Sequence, residues 1–181
     1  MSDVSPAGNA PSDAAVRYIR TILEHLGARD PVAVMQDTPR QVAALAQGLS
    51  AAQLDQAEAP GKWSIRHVVQ HLADSEVVGG WRLRLVLAHD RPTLQPYDQD
   101  LFAARLRYDA IDYTEALEHF AGIRKANLRY WSSLSAADLK RAGMHAERGE
   151  ETLEHMRKMY AGHDLAHLAQ LRRIRAVVTA G

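Results

Sequence analysis

Two histidine pairs stand at helical spacing in this chain: His67 with His71 in "WSIRHVVQHLADSE", and His163 with His167 in "MYAGHDLAHLAQLRRI". Side chains four residues apart on a helix share one face at about 5–6 Å, so two imidazoles can converge on one divalent ion at about 2.0–2.1 Å. A lone interior histidine is ordinarily a hydrogen-bonded core residue, but a pair on one face gives metal capture equal standing. On a helical wheel, His163 and His167 fall among Met156, Met159, Tyr160, Leu171 and Ile174, while Arg157, Lys158, Arg172, Arg173 and Arg175 point elsewhere. Both rings therefore face the interior, where an unpaired ring nitrogen costs about 1–3 kcal/mol.

A third ligand must come from another helix. Ile65, Val68, Val69 and Leu72 form an apolar stripe, from whose centre His71 lies about 110° away and His67 about 150°. His71 is thus the more inward of that pair. Asp74, one turn further on, could bind the metal, orient a histidine or simply be solvated. Tyr97, Asp98 and Asp100, in "HDRPTLQPYDQDLFA", are candidates for a rim that orients substrate, with turn and capping roles as the equal alternative. Arg82 and Arg84 could meet an anionic substrate, although a surface salt bridge is the default for such residues. His25, His89, His119, His145 and His155 are isolated and are read as structural.

The elements that must position these groups are helical. Ser12 and Asp13 precede a periodic run ending at Leu26 and Gly27. Thr38 as cap, with Pro39 at the first position, predicts a second helix reaching Gly48 to Ser50. "SAAQ" at 50–53 reads as a capping box. Ser64 caps a long helix to about Ala88, in which Gly79 and Gly80 form a weak point. Further helices are predicted from about Asp112 to Ser133 and from Thr152 to about Val178, with a capped turn at "SAAD", 135–138. No pair of alternating runs flanks a hairpin turn. The expected fold is an all-α four-helix bundle with an additional N-terminal helix: a flexible tail at 1–12 and one domain at 13–181.

Composition narrows the function. The 181 residues carry 22 basic and 22 acidic side chains, so the basic excess that nucleic acid or anionic membranes attract is missing. Cysteine is absent, which excludes thiolate zinc sites and cysteine nucleophiles and makes a reducing cytoplasm the natural setting. Neither a secretory signal pattern nor an apolar run of membrane length is found. The expectation is a cytoplasmic protein whose metal takes nitrogen or oxygen ligands.

"PGKWSIRHVVQHLADSE", "RLRLVLAHDRPTLQPYDQD" and "YAGHDLAHLAQL" together resemble the DinB/YfiT-like superfamily, which includes metal-dependent hydrolases and bacillithiol S-transferases. The likeness runs in order from about Thr38 to Val178. It implies a four-helix bundle with a three-histidine site, carried onto His71, His163 and His167. Relatives often hold two adjacent histidines where this chain has Gln70 and His71, which leaves His67 outside the pattern. Others add histidines at the positions of Ala166 and Gln170.

Three neutral imidazoles and an open position suit a catalytic metal, which can make water nucleophilic near pH 7 or hold a thiol as its thiolate. The expected activity is a metal-dependent hydrolase or a low-molecular-weight-thiol S-transferase, with any thiol arriving as cosubstrate. The alternatives are a stress-associated metal-binding or dimer module without turnover, and a metal-free histidine cluster. One divalent ion per chain is expected, zinc or nickel first and iron or manganese after them. The resemblance and the many apolar helix positions imply a homodimer.

Overall fold

The computed structural model describes residues 13–180, so the proposed tail and the Ser12 cap lie outside the described residues. Seven α-helices are seen among them: α1 (Asp13–Leu26), α2 (Pro31–Ala46), α3 (Ala51–Asp55), α4 (Ile65–Ala88), α5 (Gln99–Arg105), α6 (Tyr113–Trp131) and α7 (Leu153–Thr179). Helices α2, α4, α6 and α7 form a four-helix bundle in which α4 packs on α6 and α2 on α7, and α1 lies along the outside of α7. No helix among the described residues is long and apolar enough to cross a membrane.

Side-chain caps set most helix starts. Ser64, Asp112 and Thr152 each accept a backbone N–H from the first turn that follows, which satisfies donors with no partner inside the helix. Ser50 and Gln53 make the reciprocal capping box of α3. Gly27 closes α1 at φ +57°, a conformation that costs glycine nothing.

Helix α2 departs from the sequence expectation. It begins at Pro31, capped by Asp30, so Thr38 and Pro39 sit inside the helix rather than at its start. A mid-helix proline removes one N–H and orphans the carbonyl four residues earlier. Here that carbonyl belongs to Met35, and buried Arg124 of α6 donates to it at 2.7 Å. A cation from a neighbouring helix thus fills the gap, and tertiary structure accommodates a residue that local rules place at a helix boundary.

The glycine pair in α4 is likewise a packing device and no weak point. A Cβ on Gly79 would lie 2.5 Å from the Tyr160 ring, and one on Gly80 would collide with the Asn127 side chain. The helix runs through both without a break because they let α7 and α6 approach closely.

A small sheet was not foreseen. Strands β1 (Thr93–Leu94), β2 (Ala142–His145) and β3 (Gly149–Thr152) pair in that order, β1 parallel and β3 antiparallel to β2. The inward positions of β2 and β3 are Gly143, His145, Gly149 and Glu151, small or polar residues that leave no hydropathic alternation to read. The loop after α4 is therefore tied down by β1 and by α5, whose N-cap is Asp98.

The bundle interior has two apolar clusters, one around Val68, Leu72, Phe120 and Leu171, the other around Met35, Leu83, Trp131 and Met156. Between them lies a polar layer containing His71, Glu76, Arg124, Asn127 and Asp164. Arg124 holds Asp164 through two bonds of 2.6 and 2.9 Å and Glu76 at 3.0 Å. This ion-pair network pins α4, α6 and α7 at the level of the histidines.

Candidate metal centre

His71 rises from α4, and His163 and His167 from α7. Their Nε2 atoms meet: His163 Nε2 lies 3.0 Å from His71 Nε2 and 3.0 Å from His167 Nε2. These three are the metal-competent group found among the described residues. His71 is buried, whereas the two α7 rings are partly open.

Proton bookkeeping tests whether a cation fits. His167 Nδ1 lies 2.9 Å from Gln170 Oε1; with that carbonyl as acceptor the ring donates through Nδ1, so Nε2 carries its lone pair. His163 Nε2 then needs a proton to bond His167, and that one proton cannot also serve the contact with His71. If His163 instead presents a lone pair, two lone pairs face each other at 3.0 Å. A divalent ion resolves the conflict by accepting all three lone pairs, and ligand atoms around a tetrahedral zinc stand about 3.3 Å apart. The donor set therefore fits a metal.

Electrostatics keep the rings in the neutral form that ligation requires. Burial lowers His71 to about 3, with His167 adding repulsion. Burial lowers His167 to about 4 despite the bond to Gln170. His163 falls well below 6.5, first through burial and then through its two imidazole neighbours and Arg124.

The surroundings orient the rings unequally. His167 has Gln170. The His71 ring packs 4.9 Å from the Trp63 ring, and its Nδ1 has no hydrogen-bond partner among the described residues. Ser75, one turn after His71, places Oγ 3.5 Å from His71 Nε2 and 2.9 Å from the Tyr97 hydroxyl. A chain of hydroxyls thus leads from Tyr97 to the point where the nitrogens converge.

The other sequence candidates fall elsewhere. Asp74 Oδ2 accepts from Tyr108 at 2.5 Å and Oδ1 from Gln70 at 3.3 Å; neither oxygen bonds a histidine of the cluster. Asp98 accepts the N–H groups of Asp100 and Leu101 as the α5 cap, so Asp98 takes the capping role, Asp100 lies in the first turn it caps, and Tyr97 turns inward. His67 bonds Ser64 at its own helix start. Among the described residues, neither arginine makes the surface salt bridge taken as default. Arg84 donates to Gly80 O and Asn127 Oδ1, and Arg82 is buried at 4 % exposure. Isolated His145, read as structural, is buried and lies 3.3 Å from Arg82.

Beside the cluster opens a small cavity of about 60 Å³, bounded by His163, Ser75, Tyr97, Tyr160, Arg82 and Arg148, with Tyr18 and Ile22 of α1 at its edge. Sequence reasoning gave no role in the site to Ser75, Gln170, Tyr160 and Arg148. Of these, Ser75, Tyr160 and Gln170 carried a signal, since each stands about one turn or less from a ligand candidate, and Arg148 carried none.

A family model described as the DinB superfamily matches residues 35–171. A protein of Oceanobacillus iheyensis named "putative metal-dependent hydrolase" is 30 % identical over 141 residues, 76 % of this chain and 79 % of its own length. A Bacillus mycoides protein of the same name is 28 % identical over 158 residues, 87 % of this chain and 90 % of its own. Among solved structures, YfiT from Bacillus subtilis superposes with a TM-score of 0.73 at 22 % identity, covering 96 % of this chain and 93 % of its own. That structure is described as a probable metal-dependent hydrolase with an unusual four-helix bundle topology.

Proposed function

The chain belongs to the DinB superfamily, and from that premise we propose that it is a divalent-metal-dependent enzyme, hydrolytic in type, whose ion is held by His71, His163 and His167. The observation that carries the proposal is the double 3.0 Å contact at His163 Nε2, which one proton cannot satisfy. The hydrolase names of the Oceanobacillus and Bacillus relatives support the reaction type. Bound there, the ion supplies Lewis acidity, which makes water or a thiol nucleophilic at neutral pH.

The chain's own groups divide the remaining work. Ser75 and Tyr97 form the hydroxyl pair nearest the convergence point. Burial raises the Tyr97 pKa, so the phenol stays protonated and hands a proton through Ser75 rather than accepting one. Gln170 fixes the tautomer of His167. The Arg124–Asp164 pair clamps the α7 backbone next to His163.

A second reading keeps its place for one reason: no aspartate or glutamate lines the cavity among the described residues. Hydrolysis gains from a carboxylate or histidine base beside the nucleophile, whereas S-transfer from a thiol needs only the thiolate and a positioned electrophile. Zinc or nickel is the proposed ion for either chemistry.

The test is metal analysis of untagged protein, paired with assays of ester, amide and thiol-plus-electrophile substrates. About one equivalent of metal, lost in His163→Ala, with turnover of an ester or amide that chelation abolishes, supports the hydrolase. Conjugation alone shifts the assignment to the transferase. Stoichiometric metal without turnover in any class makes the protein a binding module.

A further inference from the structure

Arg82 is the largest unexplained charge in the molecule. It is 4 % exposed, lines the cavity beside His163, and enters none of the ion pairs among the described residues. Its Nη2 donates to Gln95 O, its guanidinium carbon stands 6.0 Å from the Tyr97 ring centroid, and its Nε is buried without a partner among the described residues. His145 does not compensate it. That ring's Nδ1 accepts the Glu147 N–H at 3.2 Å, and a neutral imidazole has one lone pair, so its Nε2 then points a proton at the guanidinium 3.3 Å away. A guanidinium keeps its charge at any ordinary pH. The second cation of the cavity, Arg148, differs because Glu151 neutralises it through bonds of 2.6 and 2.9 Å.

The cavity therefore carries one positive charge without an ion-pair partner, a spare Nε–H donor, and the phenols of Tyr18 and Tyr160, with no aspartate or glutamate on its wall among the described residues. Burying an unpaired cation is unfavourable in the free protein, and a bound anion relieves that cost. A single charge in so small a space matches a carboxylate better than a phosphate dianion.

We propose that this cavity is a carboxylate subsite: the substrate places its reacting group at the His71, His163 and His167 corner and its carboxylate on Arg82, held by the Tyr18 and Tyr160 phenols. The proposal rests on the metal-centre reading for the placement of the reacting group, while the subsite itself stands on Arg82.

The experiment separates the two. Metal-free protein is titrated with propionate, propionamide and inorganic phosphate, read by calorimetry and by the arginine Nε–Hε resonances. Zinc-loaded protein is titrated with 3-mercaptopropionate and its amide. Propionate is expected to bind at least about tenfold more tightly than propionamide and to move one arginine Nε–Hε signal. Arg82→Gln is expected to erase the preference in both series while metal content stays at the wild-type level. Equal binding of acid and amide, or a preference that survives in Arg82→Gln, overturns the subsite. Tighter binding of phosphate than of propionate overturns the carboxylate assignment. Should Arg82→Gln fail to fold, the wild-type Nε–Hε response decides: its absence at saturating propionate overturns the proposal. A propionate preference in protein that takes up no zinc leaves the subsite standing and removes the metal-centre reading.

Discussion

Each ligand candidate depends on a neighbour that chemistry alone would not single out. His167 can offer Nε2 to an ion because Gln170 Oε1 holds the proton on Nδ1, and outer partners of this kind commonly govern metal affinity by about 10–100-fold. Gln170→Ala should therefore weaken zinc binding by about that factor, measured by competition with a chromophoric chelator, with helix content unchanged. Equal affinities would mean that the ring finds its tautomer without help. Tyr97 makes a different demand, since its hydroxyl touches Ser75 and not a ligand histidine. Tyr97→Phe should leave metal content intact and lower kcat by about 10²-fold or more, with KM little changed, if proton delivery passes through that hydroxyl. A variant that instead raises KM alone would place Tyr97 among the groups that bind substrate.

The helices show which features a sequence carries openly and which it hides. Caps are local, so Ser64, Asp112 and Thr152 could be read before any packing was known. The inward turn of the α7 histidines was equally legible, because their apolar neighbours share the wheel with them. Pro39 misled because its lost hydrogen bond is repaired by Arg124, a residue 85 positions away whose reach only tertiary structure reveals. Gly79 and Gly80 were misread as a weak point, and the β2–β3 hairpin was missed, for the same reason: small residues record how close a neighbour comes, and they leave no periodic trace. Gly162 is the functional case. A Cβ there would press on the Ile22 carbonyl of α1, a backbone group that cannot rotate aside. Because α1 supplies Tyr18 and Ile22 to the cavity edge, the residue preceding His163 couples the docking of that helix to the site. Gly162→Ala should cost about 1–3 kcal/mol by overpacking. It should also raise the rate of proteolysis within residues 13–26 before global unfolding. A thermal midpoint equal to wild type, with α1 still protected, would show that the two helices can separate without consequence.

At the scale of the whole molecule, the site makes stability depend on pH and on metal together. Burial holds His71 near 3, and His145 and His167 near 4, while the unfolded chain titrates near 6.5. Below that value the unfolded state takes up protons that the folded state refuses, so stability is greatest above it and falls as pH falls towards the folded values. Each ring contributes about 1.4 kcal/mol per pH unit within this window, and with His163, also lowered well below 6.5, the four together about 5.5 kcal/mol per unit. Against a typical total of about 5–15 kcal/mol, metal-free protein should reach its acid midpoint between about pH 4 and 5.5. A bound ion opposes this, because it acts only on the folded protein with its rings deprotonated. Free zinc at about a thousandfold excess over Kd adds about 4 kcal/mol, enough to lower the midpoint by up to about one pH unit. The three tryptophans, one of them packed on His71, give a fluorescence signal for titrations with chelator and with zinc. His163→Ala should abolish the zinc-dependent displacement, because a two-histidine remnant binds too weakly to compete with protons. An acid midpoint below pH 4 in the absence of metal, or one that zinc leaves unmoved, would contradict the claim that the His71, His163 and His167 rings are held neutral for an ion.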